Sequence, residues 1–436
     1  MKQASPKANS IGAIIDQNSG LGPGFNTLRV LLSTAVLCWH SLPLCYGWST
    51  EQAVWTSAVG RPFMTVIPIF FELSGFLVMG SAIRLASLPP FLLSRGLRII
   101  PALATEITIS AVVIGGIFTS LPYGQYFTNK GFVEYFGSLI GRVIFSLPGV
   151  NFPGNPYGGL INNNLWTIPP ELLSYVFLAI VIVIGFYRNK WSITIAALAI
   201  TLLNFGYDLS YGFDAMNSRW PARFLVMAFA YGNAAFLWRY SIPYSRRLFL
   251  GMLIVGLVGL RTPIAMYLSV ACLTYVMAFI GVTKLPTFAL LEKGDYSYGI
   301  YLYGFPIQQL VVHLLPGLRE FYWNILIALP VALGVAMLSW HFVEKPALSY
   351  RSRIQKWIRN GVAPSTSWTA FLALVGLISY GAFLLRFSMI AFSEPMSATV
   401  FVKYISIILG AAFICLFSRF ALLWILRQRA APGFAE

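Results

Sequence analysis

"NTLRVLLSTAVLCWHSLPL", residues 26–44, is an apolar run interrupted by two ionisable groups, Arg29 and His40. Its length decides the fold class, because about 20 largely apolar residues carry a helix across the hydrocarbon of a bilayer. On such a helix a rise of 1.5 Å per residue sets His40 about 16 Å beyond Arg29, near mid-membrane. The interval makes about three turns, so both side chains face the same side. Ionisable groups at that depth are costly, and they mark functional sites or paired contacts.

Runs of this kind recur along nearly the whole chain. Of 436 residues, 58% are hydrophobic and 10% charged, and the mean hydropathy is +0.73. These values exclude a water-soluble globular domain and indicate an all-α, polytopic membrane protein. Twelve spans are expected, at roughly 27–46, 62–83, 99–119, 166–187, 191–207, 220–238, 248–261, 263–282, 296–315, 321–342, 366–386 and 399–424. The first ten form a core at residues 27–350. Residues 1–26 read as a polar cytoplasmic tail, and 351–436 as a basic cytoplasmic loop followed by two further spans.

With the N-terminus inside, more than two thirds of the 30 Lys and Arg fall on the inner ends of the spans. That bias places both termini in the cytoplasm and the protein in the cytoplasmic (inner) membrane. The formal charge of +16 is then an inner skirt suited to anionic lipid headgroups or a phosphate-bearing ligand, and nothing in it suggests nucleic acid. Cys38, Cys45, Cys272 and Cys415 sit in or beside apolar spans, with no spacing that would hold zinc, so no metal is expected. The loop 120–165 lies outside and is expected to rest on the outer interface or to dip in and return.

Several groups carry the chemistry. Arg95 and Arg98 in "SRGLRIIPAL" share one helix face at the inner mouth of the third span, spaced to fork onto phosphate oxygens. Glu72 in "PIFFELSGFLV" matches His40 in depth, where a carboxylate either serves function or is held neutral by a neighbouring helix. Glu171, following "NNNLWTIPP", is explained structurally by the helix dipole, yet its place toward the outer side suits a polar acceptor. Trp166 and Tyr175 of the same stretch accompany it as substrate-binding candidates. His341 and Glu344 in "SWHFVEKP" read as anchoring or ion-pairing groups, and His313 as structural.

Taken in order, the stretches Arg29 to His40, "FFELSGFL", Arg95 to Arg98, "LWTIPPELLSY", and "GDYSYGIYLYGFP" with "SWHFVEKP" resemble the acyltransferase 3 family, integral membrane proteins that acylate envelope carbohydrates. They cover residues 26–350. The resemblance implies an O-acyltransferase that takes an acyl group, commonly acetyl, from cytosolic acyl-CoA and delivers it to a saccharide or lipid-linked saccharide. It implies functional roles for Arg29, His40, Arg95 and Arg98. The chain departs from the family at Gly304, where a histidine is usual, at Glu72, and at Leu172 after Glu171. The expected mechanism has acetyl-CoA phosphates on the three arginines and His40, oriented by Glu72, as general base, with a covalent acyl-histidine as its variant. A lipid-linked sugar flippase using His40 and Glu72 as a proton relay is the alternative.

Overall fold

A computed structural model describes residues 9–18, 20–85, 87–213, 220–286 and 293–352. Among these residues the regular structure is helical, with two isolated β-bridges. Each of the ten spans expected before residue 343 coincides with a helix: α1 (Phe25–Tyr46), α2 (Val66–Leu85), α3 (Leu88–Thr108), α4 (Ile168–Ile184), α5 (Lys190–Tyr211), α6 (Ala222–Trp238), α7 (Arg246–Gly259), α8 (Ala265–Val282), α9 (Ser297–Leu314) and α10 (Phe321–Ser339). Seven of them, α1 to α5, α8 and α10 with their flanking turns, are long and apolar enough to cross a membrane. The protein is therefore a multi-pass membrane protein. The expected eleventh and twelfth spans, and Cys415, lie outside the described residues.

Glycine brings α2 and α6 into backbone contact. A Cβ placed on Gly75 of α2 would stand 2.1 Å from the Phe229 carbonyl oxygen of α6, and one on Gly232 of α6 would stand 2.0 Å from that of Glu72. The two backbones touch only because neither position carries a side chain, which is how helices associate where water provides no hydrophobic drive. This seam fixes the rotation of α2.

The N-terminal segment is less loose than its polarity suggests. Ser10 caps a short helix, Ile11–Gln17, by accepting from the Ala13 amide at 3.2 Å. The amides of Ile11 and Gly12 donate to Ile242 O and Arg239 O at 3.0 and 2.8 Å, and Ile11 is fully buried.

The loop 120–165 folds onto the bundle through two short helices, Tyr123–Thr128 and Lys130–Tyr135, and a 3-10 turn, Phe136–Ile140. Tyr126, Tyr135 and Phe152 are buried beneath it. Its later part is irregular, and side-chain amides tie it down. Gln309 of α9 donates to Tyr157 O and Leu160 O at 2.6 and 2.7 Å, and Asn162 donates to Leu302 O at 2.9 Å and to Glu106 Oε1 of α3 at 2.8 Å. Irregular backbone is tolerated in a membrane protein where protein groups satisfy it in this way.

Candidate functional site

Prolines at the first turn start α3 after the Ser87 cap, leaving Arg95 and Arg98 two turns into the helix on one face. Arg29 stands one turn into α1. The three guanidiniums converge on one chamber, lined also by Phe70, Ser74, Glu171, Tyr175 and Tyr298, with about 880 Å³ of atom-free space, mouth included.

Two carboxylates hold two of these arginines. Asp295, just before α9, receives Arg29 Nη1 at 2.7 Å and Arg98 Nη2 at 2.6 Å on the same Oδ2, while its Oδ1 accepts from the Ser297 hydroxyl at 2.6 Å. Arg98 Nη1 reaches Glu344 Oε2 at 2.9 Å. Glu344 closes a π-helical turn, Trp340–Glu344, after α10, a geometry that recurs at functional sites. Its partner is thus an arginine of α3, and neighbouring His341 turns away, its Nδ1 2.8 Å from Met337 O. Burial alone raises a carboxyl pKa, but Arg98 and Arg29 outweigh it and hold Asp295 well below the usual carboxylate range. A depressed carboxylate contributes its stability above its unfolded value of about 3.9 and loses it as pH falls toward the folded one. The lock therefore persists at neutral and mildly acid pH.

Arg95 differs. It makes no ion pair among the described residues, and its Nε is buried without a hydrogen-bond acceptor. An unsatisfied buried donor costs about 1–3 kcal/mol, and more on a charged group, so Arg95 is the guanidinium of the three that the protein's own carboxylates leave uncompensated among the described residues.

His40 lines a second chamber, with about 600 Å³ of atom-free space, mouth included, walled by Trp39, Trp55, Trp166, Trp220 and Phe63 with Glu51 and Asn163 as its polar members. The imidazole is 8% exposed and packs edge-on against Phe305, centroids 5.3 Å apart. Ile67 and Tyr301 line both chambers, so they form the waist between them. Tyr301 is held there by its hydroxyl, 2.7 Å from Thr167 Oγ1 and donating to Asn164 O at 3.0 Å, and by its carbonyl, which accepts from Asn164 Nδ2 at 2.6 Å.

The structure divides the sequence candidates. Trp166 stands in a 3-10 turn, Asn163–Thr167, and joins His40. Glu171, one turn into α4, joins the arginines instead, its Oε1 accepting from the Tyr175 hydroxyl at 2.7 Å. Glu72 lines neither chamber. The α2–α6 seam turns it away, and it is fully buried with both carboxyl oxygens outside hydrogen-bond geometry, its nearest polar interaction being with Thr274 of α8. His313 packs between Phe118 and Phe152, centroids 5.4 and 5.3 Å away. At Gly304 an added Cβ would lie 3.3 Å from Leu37 Cδ1, so α9 approaches α1 closely where the family's usual histidine is missing.

Sequence reasoning missed Asp295 and Glu51. Three arginines at one mouth of a membrane bundle demand counter-charges, and Asp295 in the quoted "GDYSYG" stretch was the acid nearest to hand. Glu51 carried a weaker signal, an acid between two tryptophans in a short helix, Trp48–Thr56.

The acyltransferase domain model of the acyltransferase 3 family matches residues 23–341. A protein of Shigella phage Sf6 described as an O-acetyl transferase is 27% identical over 342 residues, 75% of this chain and 96% of its own length. Nodulation protein 10 of Rhizobium leguminosarum bv. viciae is 27% identical over 379 residues, 79% of this chain and 98% of its own. No solved structure matches. With the family model covering most of the chain and helices long enough to cross a bilayer, the protein is a membrane acyltransferase belonging to the acyltransferase 3 family.

Proposed function

We propose that residues 27–350 form an O-acyltransferase unit that moves an acyl group, acetyl in the simplest case, from cytosolic acyl-CoA to a hydroxyl of an envelope or extracellular saccharide. The similarity to a protein described as an O-acetyl transferase supports this reaction. The single observation that carries the geometry is the shared waist: Ile67 and Tyr301 line both the arginine chamber and the His40 chamber. With the N-terminus inside the cytoplasmic membrane, as the basic residues favour, the arginine chamber opens to the cytosol. Arg95 is the first anchor for a coenzyme A phosphate, and Arg29 and Arg98, already oriented by Asp295, complete it.

The pantetheine arm then carries the thioester toward the waist. There the acceptor hydroxyl attacks the thioester carbonyl while His40 takes its proton. The new C–O bond forms, the C–S bond breaks, and the proton passes to the departing coenzyme A thiolate. Glu72 takes no part in this step, and acyl transfer replaces the flippase reading.

Purified protein supplied with labelled acetyl-CoA and a saccharide acceptor tests the scheme. His40→Ala should lower ester formation about 10²- to 10⁴-fold, the scale of a lost general base, with acetyl-CoA binding retained. Ester formation at the unaltered rate by that variant excludes His40 as the base. An acylated protein trapped in a single turnover would instead identify the covalent variant.

A further inference from the structure

One face of α4 leads from the waist into the arginine chamber. Thr167, Glu171 and Tyr175, each four residues from the next, all line it, as groups one turn apart on a helix do. Thr167 marks the waist, its Oγ1 2.7 Å from the Tyr301 hydroxyl. Glu171 stands about 6 Å further along the helix, and Tyr175 follows, within reach of the Arg95 charge.

Glu171 does not serve as a counter-charge. Asp295 and Glu344 close on guanidiniums at 2.6 to 2.9 Å, whereas among the described residues no Lys or Arg stands within ion-pair distance of Glu171. Its Oε1 accepts from the Tyr175 hydroxyl at 2.7 Å, the one side-chain donor to it among the described residues. A carboxylate offers about four lone-pair positions, so this half-buried one is oriented with acceptor capacity unspent. It is a poor neighbour for phosphates, since like charges 4 Å apart repel by about 1 kcal/mol in water and about 4 kcal/mol near a protein surface. The phosphates therefore belong with Arg95, and the stretch between Glu171 and the waist suits a neutral ligand that carries donors.

We infer that Glu171 accepts a hydrogen bond from an amide N–H of the donor's pantetheine arm, with Tyr175 orienting the carboxylate for it. The inference rests on the acyl-CoA reading and adds a donor-binding residue and the group it takes, a secondary amide. The arm carries two amides between its phosphate end and its sulfur. One held at Glu171, a turn short of the waist, leaves the thioester end free to reach Tyr301. A bond from a neutral N–H to a carboxylate is charge-assisted without needing a cation, and Ile67, Phe70 and Phe229 of the same chamber offer apolar wall to the arm's methyl and methylene groups.

Full-length protein in lipid nanodiscs is titrated with acetyl-CoA and with two analogues in which one or the other arm amide is replaced by an ester, which removes the N–H. One analogue should bind the unaltered protein about tenfold more weakly than acetyl-CoA, the scale of a lost hydrogen bond to a charged group. Glu171→Ala should bind acetyl-CoA about tenfold more weakly and no longer tell that analogue from it, with the acceptor KM unmoved. If Glu171→Ala fails to fold, Glu171→Gln, which keeps an acceptor for Tyr175 and loses the charge, should shrink the discrimination to about threefold. Ester analogues that bind the unaltered protein as well as acetyl-CoA, or a discrimination that persists in full in the variants, overturn the inference. So does a defect confined to the acceptor KM, which would assign Glu171 to the saccharide, or one confined to the unfolding midpoint, which would make it structural. Failure of the unaltered protein to bind acetyl-CoA at all would instead sink the acyl-CoA reading, and this inference with it.

Discussion

The arginine chamber and the tryptophan chamber solve opposite problems within one bundle. The first gathers charge, and it holds it by pairing: Arg29 and Arg98 share one oxygen of Asp295, and Arg98 also engages Glu344. The second, lined by no Lys or Arg among the described residues, places His40 and Glu51 among indoles, with Trp39 and Tyr157 donating to the carboxylate. Removing one member of a buried ion pair strands the other, whereas trimming one wall of an aromatic pocket loses only area and shape. The first chamber should therefore fail through folding and the second through affinity.

The largest effect expected from this contrast is at Arg98. Arg98→Ala leaves Glu344, 1% exposed, without its cation and should destabilise the protein by about 3 kcal/mol or more. The unfolding midpoint of purified protein measures this, and adding Glu344→Gln should recover part of the loss. An unchanged midpoint would mean that the carboxylates do not support the chamber.

Arg95 should behave in the opposite way. With no ion pair among the described residues to lose, Arg95→Ala should lower the midpoint far less than Arg98→Ala does, while weakening acetyl-CoA binding about ten- to hundredfold, the loss of one charge-assisted phosphate contact. Titration calorimetry separates the two arginines. Equal behaviour of both would erase the division between a structural and a ligand-facing guanidinium.

The smallest effect belongs to the waist. Tyr301→Phe removes the hydroxyl contacts to Thr167 and Asn164 and should cost about 1 kcal/mol. Its distinguishing readout is kinetic, a rise in acetyl-CoA hydrolysis relative to sugar acylation as the junction loosens. A change confined to stability would make Tyr301 a packing residue alone.

Helix periodicity alone made part of the site legible. Arg29 and His40 each line a chamber on the bundle interior, as their common face on α1 required, and Arg95 and Arg98 reach the same chamber because they are three residues apart on α3. What could not be read locally was the partner of each group. Trp166 and Glu171 are five residues apart, yet they serve different chambers, because the chain passes from a 3-10 turn into α4 between them. Glu72, expected at the depth of His40, lines neither chamber, because Gly75 and Gly232 press α2 against α6 and turn that carboxyl away.

The sequence by itself determined the membrane class and where the ten core helices lie, since these follow from the length of apolar runs and a fixed rise per residue. Only the tertiary structure decided that Asp295 would bind two arginines from different helices, that Glu344 would join them, and that four tryptophans would gather around His40 with Glu51. Those choices depend on which helices become neighbours and how each is rotated. In a bilayer that is settled by close packing at small residues and by pairing of buried charge, interactions between residues far apart in the chain.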